Sequence, residues 1–150
     1  MPSLDLAKEL GARESGLAVA ITSRPDGSPR ASVVNAGVVE HPVTGEPVIG
    51  FVSRGAARKL RDVRARPRAT VLFRSGWEWV AVEGDATLVG PDDSLDGVDP
   101  SAKMVLLRTV YAAAVGGTPE EWSHLDETMA TERHTAVLIT PIRIYPTVAR

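Results

Sequence analysis

The stretch Ser53–Phe73 (S-R-G-A-A-R-K-L-R-D-V-R-A-R-P-R-A-T-V-L-F) constrains this chain more than any other. Arg54, Arg58, Lys59, Arg61, Arg64, Arg66 and Arg68 crowd into it, and only Asp62 opposes them. An apolar run, Val48–Val52, precedes the basic residues and a second, Ala69–Phe73, follows them. Strand, short basic helix, strand fits this pattern, with Ala56 or Ala57, Leu60 and Val63 recurring at helical spacing to face a core. Pro67 ends the helix because it disfavours the helical conformation at Arg66. Ser53 reads as the helix cap, which puts Arg54, Arg58 and Lys59 in or beside the first turn. The helix dipole disfavours cations there, by a few tenths to about 1 kcal/mol each. An external anion reverses that sign. Free N–H groups, a close-approach Gly55 and three cations together compose a phosphate site. A solvated basic face accounts for the same residues equally well.

Composition narrows the classes. A chain of 150 residues suggests one domain, spanning 1–150, that can bury a real core. The net charge of −2 argues against general nucleic-acid binding, so the basic patch is local. Without cysteine, disulfides, thiol catalysis and zinc–thiolate sites are excluded. No leader pattern and no run of membrane-spanning length is evident, so a cytoplasmic location without membrane partners is expected.

Ser3–Arg13 reads as a short amphipathic helix capped by Ser3 or Asp5. Leu17–Thr22 and Arg30–Val39 read as a hairpin joined by Arg24-Pro25-Asp26-Gly27, since proline sets φ early and glycine admits positive φ late. After the basic helix and the strand 69–74, Trp77–Val89 alternates in the manner of a long strand, and Gly84 marks a bulge. Pro100–Val115 is expected to be helical, with Met104, Leu107 and Tyr111 near one face, and Gly116-Gly117 to stop it. Thr118-Pro119-Glu120-Glu121 opens a further helix to about Ala130. Arg133–Thr140 and Ile142–Val148 read as two closing strands joined around Pro141. The expected fold is mainly β: six or seven antiparallel strands in a small closed or half-closed barrel with covering helices.

On the hairpin's second strand, Arg30, Ser32 and Val34 point one way and Asn35 the other, unless a bulge intervenes. A mid-strand asparagine needs a hydrogen-bonding reason, either a ligand or a backbone group at an edge or turn. Trp77 and Trp79 share a face, either as core or interface or as a flat wall for a planar ring. His41, His124 and His134 lack metal-ligand spacing, so no metal site is expected. No serine–histidine–acid pattern, Walker loop or G-x-G-x-x-G is evident. If the chain is an enzyme, its chemistry resides in a cofactor.

Residues 17–37 (L-A-V-A-I-T-S-R-P-D-G-S-P-R-A-S-V-V-N-A-G), 58–73 (R-K-L-R-D-V-R-A-R-P-R-A-T-V-L-F), 76–88 (G-W-E-W-V-A-V-E-G-D-A-T-L) and 132–145 (E-R-H-T-A-V-L-I-T-P-I-R-I-Y) carry a resemblance. The chain resembles the pyridoxamine 5′-phosphate oxidase-like split β-barrel superfamily. More narrowly, it is similar to the actinobacterial flavin/deazaflavin oxidoreductases, B branch, which use coenzyme F420. The resemblance implies a homodimer with cofactor clefts at its interface. It implies that Arg30, Ser32, Val34 and Asn35 line the isoalloxazine-like ring, and that Ser53, Arg54, Arg58 and Lys59 hold the phosphate. Trp77 and Trp79 would contribute from the barrel wall or from the other subunit. The family often has Asn-Leu-Arg in this helix; here Asp62-Val63-Arg64 stands near that point, which removes the basis for a cofactor contact at 62. The surplus cations Arg61, Arg64 and Arg66 either meet a polyglutamate tail or form a solvated face, while Arg66 and Arg68 beside Pro67 mark a surface turn.

The activity implied is a coenzyme F420-dependent reduction of an electron-poor double bond in a small organic substrate. An FMN-dependent oxidoreductase shares the motif, and so does a non-catalytic module binding deazaflavin, flavin or haem.

Overall fold

The computed structural model describes residues 3–115 and 122–147. Six strands close into an antiparallel barrel: β1 (Leu17–Ser23), β2 (Pro29–Glu40), β3 (Pro47–Ser53), β4 (Arg68–Ser75), β5 (Glu78–Val89) and β6 (Thr135–Pro146). Their order around the barrel is β1-β2-β3-β6-β5-β4, and β4 pairs back onto β1. Among the described residues four helices accompany them: α1 (Asp5–Arg13), α2 (Arg58–Ala65), α3 (Pro100–Val115) and α4 (Trp122–Thr131). The mainly β, helix-covered barrel expected from the sequence is therefore present, with six strands.

Alternation divides the strands into an inner and an outer set. Val34, Ala36, Ile49, Phe51, Val71, Phe73, Val80, Val82, Val137 and Ile139 fill the interior. Phe51 and Phe73 are fully buried; each large apolar side chain so placed contributes about 1.5–3 kcal/mol. Residues of opposite parity on β2, β3 and β6, among them Val39, Val48, Ala136 and Leu138, form a second core beneath α3. On α3 the face against the barrel is Leu106, Val110 and Ala114, not the Met104–Leu107–Tyr111 face, and Met104 is 46% exposed.

β3 and β4 are consecutive in sequence but not neighbours in the barrel. Their connection must cross the barrel, and α2 is that crossing. Leu60 and Val63 enter the interior cluster, so the basic stretch is a plug with an apolar underside. Arg66 is extended at the helix end, as Pro67 requires.

Three local expectations are corrected. The residue at the N-cap position of α1 is Leu4, with no side-chain cap; the Ser3 hydroxyl accepts from the Asp5 N–H at 3.3 Å instead. Trp77 lies in the turn before β5 rather than in the strand, because Ser75 pairs with Glu78 and leaves Gly76 and Trp77 as the two-residue loop. The closing segment is one strand, not two. Pro141 lacks an N–H, yet β6 runs through it because the β5–β6 register shifts between Glu83 and Gly84 and sets Gly84 opposite Pro141. A Cβ on Gly84 would lie 1.8 Å from the Thr140 carbonyl oxygen, so the bulge expected at Gly84 also requires glycine. Gly116-Gly117 and the Thr118–Glu121 helix start lie outside the described residues.

Candidate functional site

The Ser53–Lys59 corner opens onto a cleft of about 580 Å³. Val33, Val34 and Asn35 of β2 form one wall. Val52 and Ser53 of β3, Arg54, Ala56, Ala57 and Lys59 form another, and Glu132 and His134 line the third. The Ser53–Thr135 register explains the last pair, since it draws residues 132–134 alongside 54–55. The Gly55 N–H donates to the Glu132 carbonyl at 3.1 Å. A Cβ on Gly55 would approach the Arg133 carbonyl oxygen to 2.7 Å. The close approach at Gly55 is thus to the protein's own backbone.

Ser53 does not cap α2. The N-cap position is Ala57, extended and without a side-chain hydrogen bond, because residues 54–57 form a separate turn first. Ser53 is buried, and its hydroxyl donates to the Arg54 carbonyl at 3.3 Å. The start of α2 is therefore served by no side-chain cap; of its first N–H groups, that of Leu60 donates to the Ala57 carbonyl at 3.2 Å, and the two before it are the positions a ligand acceptor would serve. Lys59 stands there half-buried, and burial alone pulls its ammonium below the usual lysine pKa. Arg54 is three-quarters exposed and 3.8 Å from Glu132. Arg58 is exposed and lies off the cleft lining.

The β2 residues divide by parity as expected. Val34 and Asn35 reach the cleft. The Asn35 Nδ2 donates to the Ser15 carbonyl at 3.0 Å, which meets the amide's need for a partner within the protein. Arg30 faces inward beside Thr22, and its Nε donates to the Asp62 Oδ2 at 2.7 Å. The Thr22 hydroxyl donates to the same oxygen at 2.7 Å, and Arg66 lies 3.6 Å from Oδ1. Asp62 is almost fully buried. Burial pushes its pKa up, but the hydrogen bonds from Arg30 and Thr22 and the nearby guanidinium charges outweigh it and hold the carboxyl below its ordinary value. Arg66 also donates to the Ser23 carbonyl at 2.8 Å, so it is a tie across the barrel end rather than a surface turn. Arg64 pairs with Asp93 at 2.7 Å. Among the described residues no acidic or histidine cluster could hold a metal.

Trp77 and Trp79 do not line this cleft. Trp79 packs edge-on against Tyr145, with ring centroids 6.2 Å apart, on the barrel's outer surface. That surface also carries Leu17, Val33 and Trp77, which are 51%, 68% and 84% exposed. In the sequence, His134 lacks metal-ligand spacing and Glu132 belongs to no local motif. Both reach the cleft only through the long-range β3–β6 pairing, which no local pattern reveals.

A family model described as pyridoxamine 5′-phosphate oxidase matches residues 7–137. The chain belongs to the pyridoxamine 5′-phosphate oxidase family. Solved structures agree on the fold of this family member. It is similar to the conserved hypothetical protein Rv2991 from Mycobacterium tuberculosis, at 20% identity and TM-score 0.69, covering 97% of this chain and 84% of that one. A pyridoxamine 5′-phosphate oxidase-related, FMN binding protein from Nostoc punctiforme matches at 16% identity and TM-score 0.66, over 97% and 84% of the two chains. A protein described as F420 reductase matches at 18% identity and TM-score 0.52, over 87% and 90%. No curated protein sequence matches this chain. The superfamily includes oxidoreductases, and no helix among the described residues is long and apolar enough to cross a membrane.

Proposed function

We propose that this chain is a coenzyme F420-dependent reductase acting on an electron-poor double bond of a small organic substrate. The observation that carries the reading is the cleft at the start of α2, which is lined by both Ala57, at a helix start without a side-chain cap, and the half-buried Lys59. Both features are unfavourable without an anion and favourable with one. A phosphate-bearing planar coenzyme fits that donor set. Lys59 and the first N–H groups of α2 would hold the phosphate, with Arg54 at the rim. Val34 and Val52 give the ring an apolar wall, and the Asn35 amide, fixed by Ser15, leaves its carbonyl oxygen to read a ring N–H. Reduced coenzyme F420, when bound, supplies the hydride. The protein's part is to bind, orient and exclude water. Among the described residues Glu132 is the one acid on the cleft lining, and its hydrogen bond to His134, with Arg54 nearby, offsets its repulsion of a phosphate.

The reading includes a homodimer. The uncovered apolar surface of Leu17, Val33, Trp77, Trp79 and Tyr145 suits a second copy, and Val33 belongs both to it and to the cleft rim. Trp77 and Trp79 would reach a coenzyme only from the second subunit. FMN is the alternative cofactor, favoured by the FMN binding neighbour.

Titrating coenzyme-free protein with coenzyme F420 and with FMN decides between them. Saturable, salt-sensitive F420 binding by colourless purified protein supports the proposal. A yellow protein with the absorbance of FMN transfers it to FMN, and binding without turnover of any enone or quinone marks a carrier module. Affinity for neither cofactor refutes both readings. Sedimentation at several concentrations tests the dimer.

A further inference from the structure

A second cavity of about 340 Å³ lies between α3, α4 and the start of β6. Pro91, Met104, Leu107 and Met129 make much of its lining apolar. Met104 is half-exposed and Met129 buried, so the apolar wall runs from the rim inward. Two side chains of opposite charge, Lys103 and Asp126, interrupt that wall. They differ in what the protein supplies to them. Arg108 donates to both carboxylate oxygens of Asp126, so that charge is matched from within. Lys103 is partly buried, and its Nζ donates to the Gly90 carbonyl at 3.0 Å. Among the described residues that neutral oxygen is its hydrogen-bond partner, and no carboxylate pairs with it.

An ammonium group carries three donors and no acceptor, and one of the three is used here. A partly buried charge gives up hydration and regains it only through a counter-charge or hydrogen bonds. An anion in the cavity would supply both, because a charge-assisted hydrogen bond is about twice as strong as a neutral one. The rest of the lining sets the body of the ligand. Thioether side chains suit an aromatic face. The volume is at the low end for small-molecule sites, which selects one or two rings over a tetrapyrrole.

We propose that the α3–α4 cavity is a ligand site for a one- or two-ring carboxylate. The carboxylate accepts from the Lys103 Nζ, and the ring lies against Met104, Leu107 and Met129. His134 lines both this cavity and the Lys59 cleft, so the two sites are neighbours. That the carboxylate is the reductase's substrate or product rests on the coenzyme reading; that the cavity binds it does not.

The test uses coenzyme-free protein carrying ¹³C-methyl methionine. Of the chain's three methionines, Met104 and Met129 line the cavity. Titration with 2-naphthoate moves both methyl resonances saturably. At low salt 2-naphthoate binds about tenfold tighter than its neutral isostere 2-naphthamide, as one charge-assisted hydrogen bond allows, and added salt narrows the difference. Lys103→Leu removes the preference and leaves 2-naphthamide binding. Should Lys103→Leu not fold, Met104→Trp fills the cavity from its rim and abolishes 2-naphthoate binding, read at Met129. Equal affinities for the two probes at low salt, unmoved Met104 and Met129 resonances, a preference that survives Lys103→Leu, or binding that persists in Met104→Trp overturns the proposal. Failure to bind F420 or FMN refutes the coenzyme reading without altering these outcomes.

Discussion

Three residues apart on α2, Lys59 and Asp62 occupy opposite electrostatic situations. Asp62 is buried and saturated: Thr22 and Arg30 donate to one carboxylate oxygen, and Arg66 approaches the other. Lys59 is half-buried, and burial is the sole cause of its lowered pKa. The difference separates a charge that holds the barrel shut from one that waits for a partner. A charged group whose valences the protein itself fills stabilises the fold, whereas one left short of partners at a cleft points to a ligand.

The largest effect expected from breaking this contrast is at Arg30. Arg30→Ala leaves a buried carboxylate with only Thr22 and the more distant Arg66, and lowers stability by about 3 kcal/mol. For a domain of this size that is roughly 6–12 °C in Tm, read by thermal and urea unfolding. A loss below about 1 kcal/mol would place Asp62 among ordinary surface acids.

The pH dependence comes next. The folded Asp62 has a lower pKa than the unfolded one. Its stabilisation is therefore complete above the unfolded value of about 4 and is lost as pH falls through the folded value. Asp62→Asn is less stable than the unaltered protein at neutral pH, and the gap narrows on acidification below about pH 4. A gap that stays constant between pH 6 and 3 would show that Asp62 does not titrate differently in the two states.

Lys59→Ala probes the other member and has the smallest effect on the fold. Unfolding of the coenzyme-free protein shifts by less than about 0.5 kcal/mol, while affinity for the preferred coenzyme falls about tenfold at low salt. The difference shrinks as ionic strength rises. Equal affinities across the salt range would remove Lys59 from the site and leave the uncapped start of α2 and Arg54 as the anion's proposed partners.

Much of the architecture was legible because it is written in short-range patterns. Alternation marks the strands, the Pro25-Asp26-Gly27 turn marks the first hairpin, and Pro67 ends α2. The bulge at Gly84 is legible too, although its partner Pro141 reads locally as a break between two strands. Proline's missing N–H is a local fact, while the register shift that accommodates it belongs to the β5–β6 pair. The face that α3 buries is not legible for a related reason: Met104 and Leu107 are as apolar as Leu106 and Val110, and only the barrel surface chooses between them.

By itself, the sequence determined a mainly β barrel, a basic helix between two strands, and an excess of cations near that helix's start. Periodicity, turn chemistry and charge are properties of neighbours along the chain. Only the tertiary structure decided which charges are spent and which remain. Asp62 meets Arg30 across 32 residues, and His134 reaches the Lys59 cleft through the pairing of β3 with β6. Saturation depends on partners brought together by barrel closure, and no local window contains both members of such a pair.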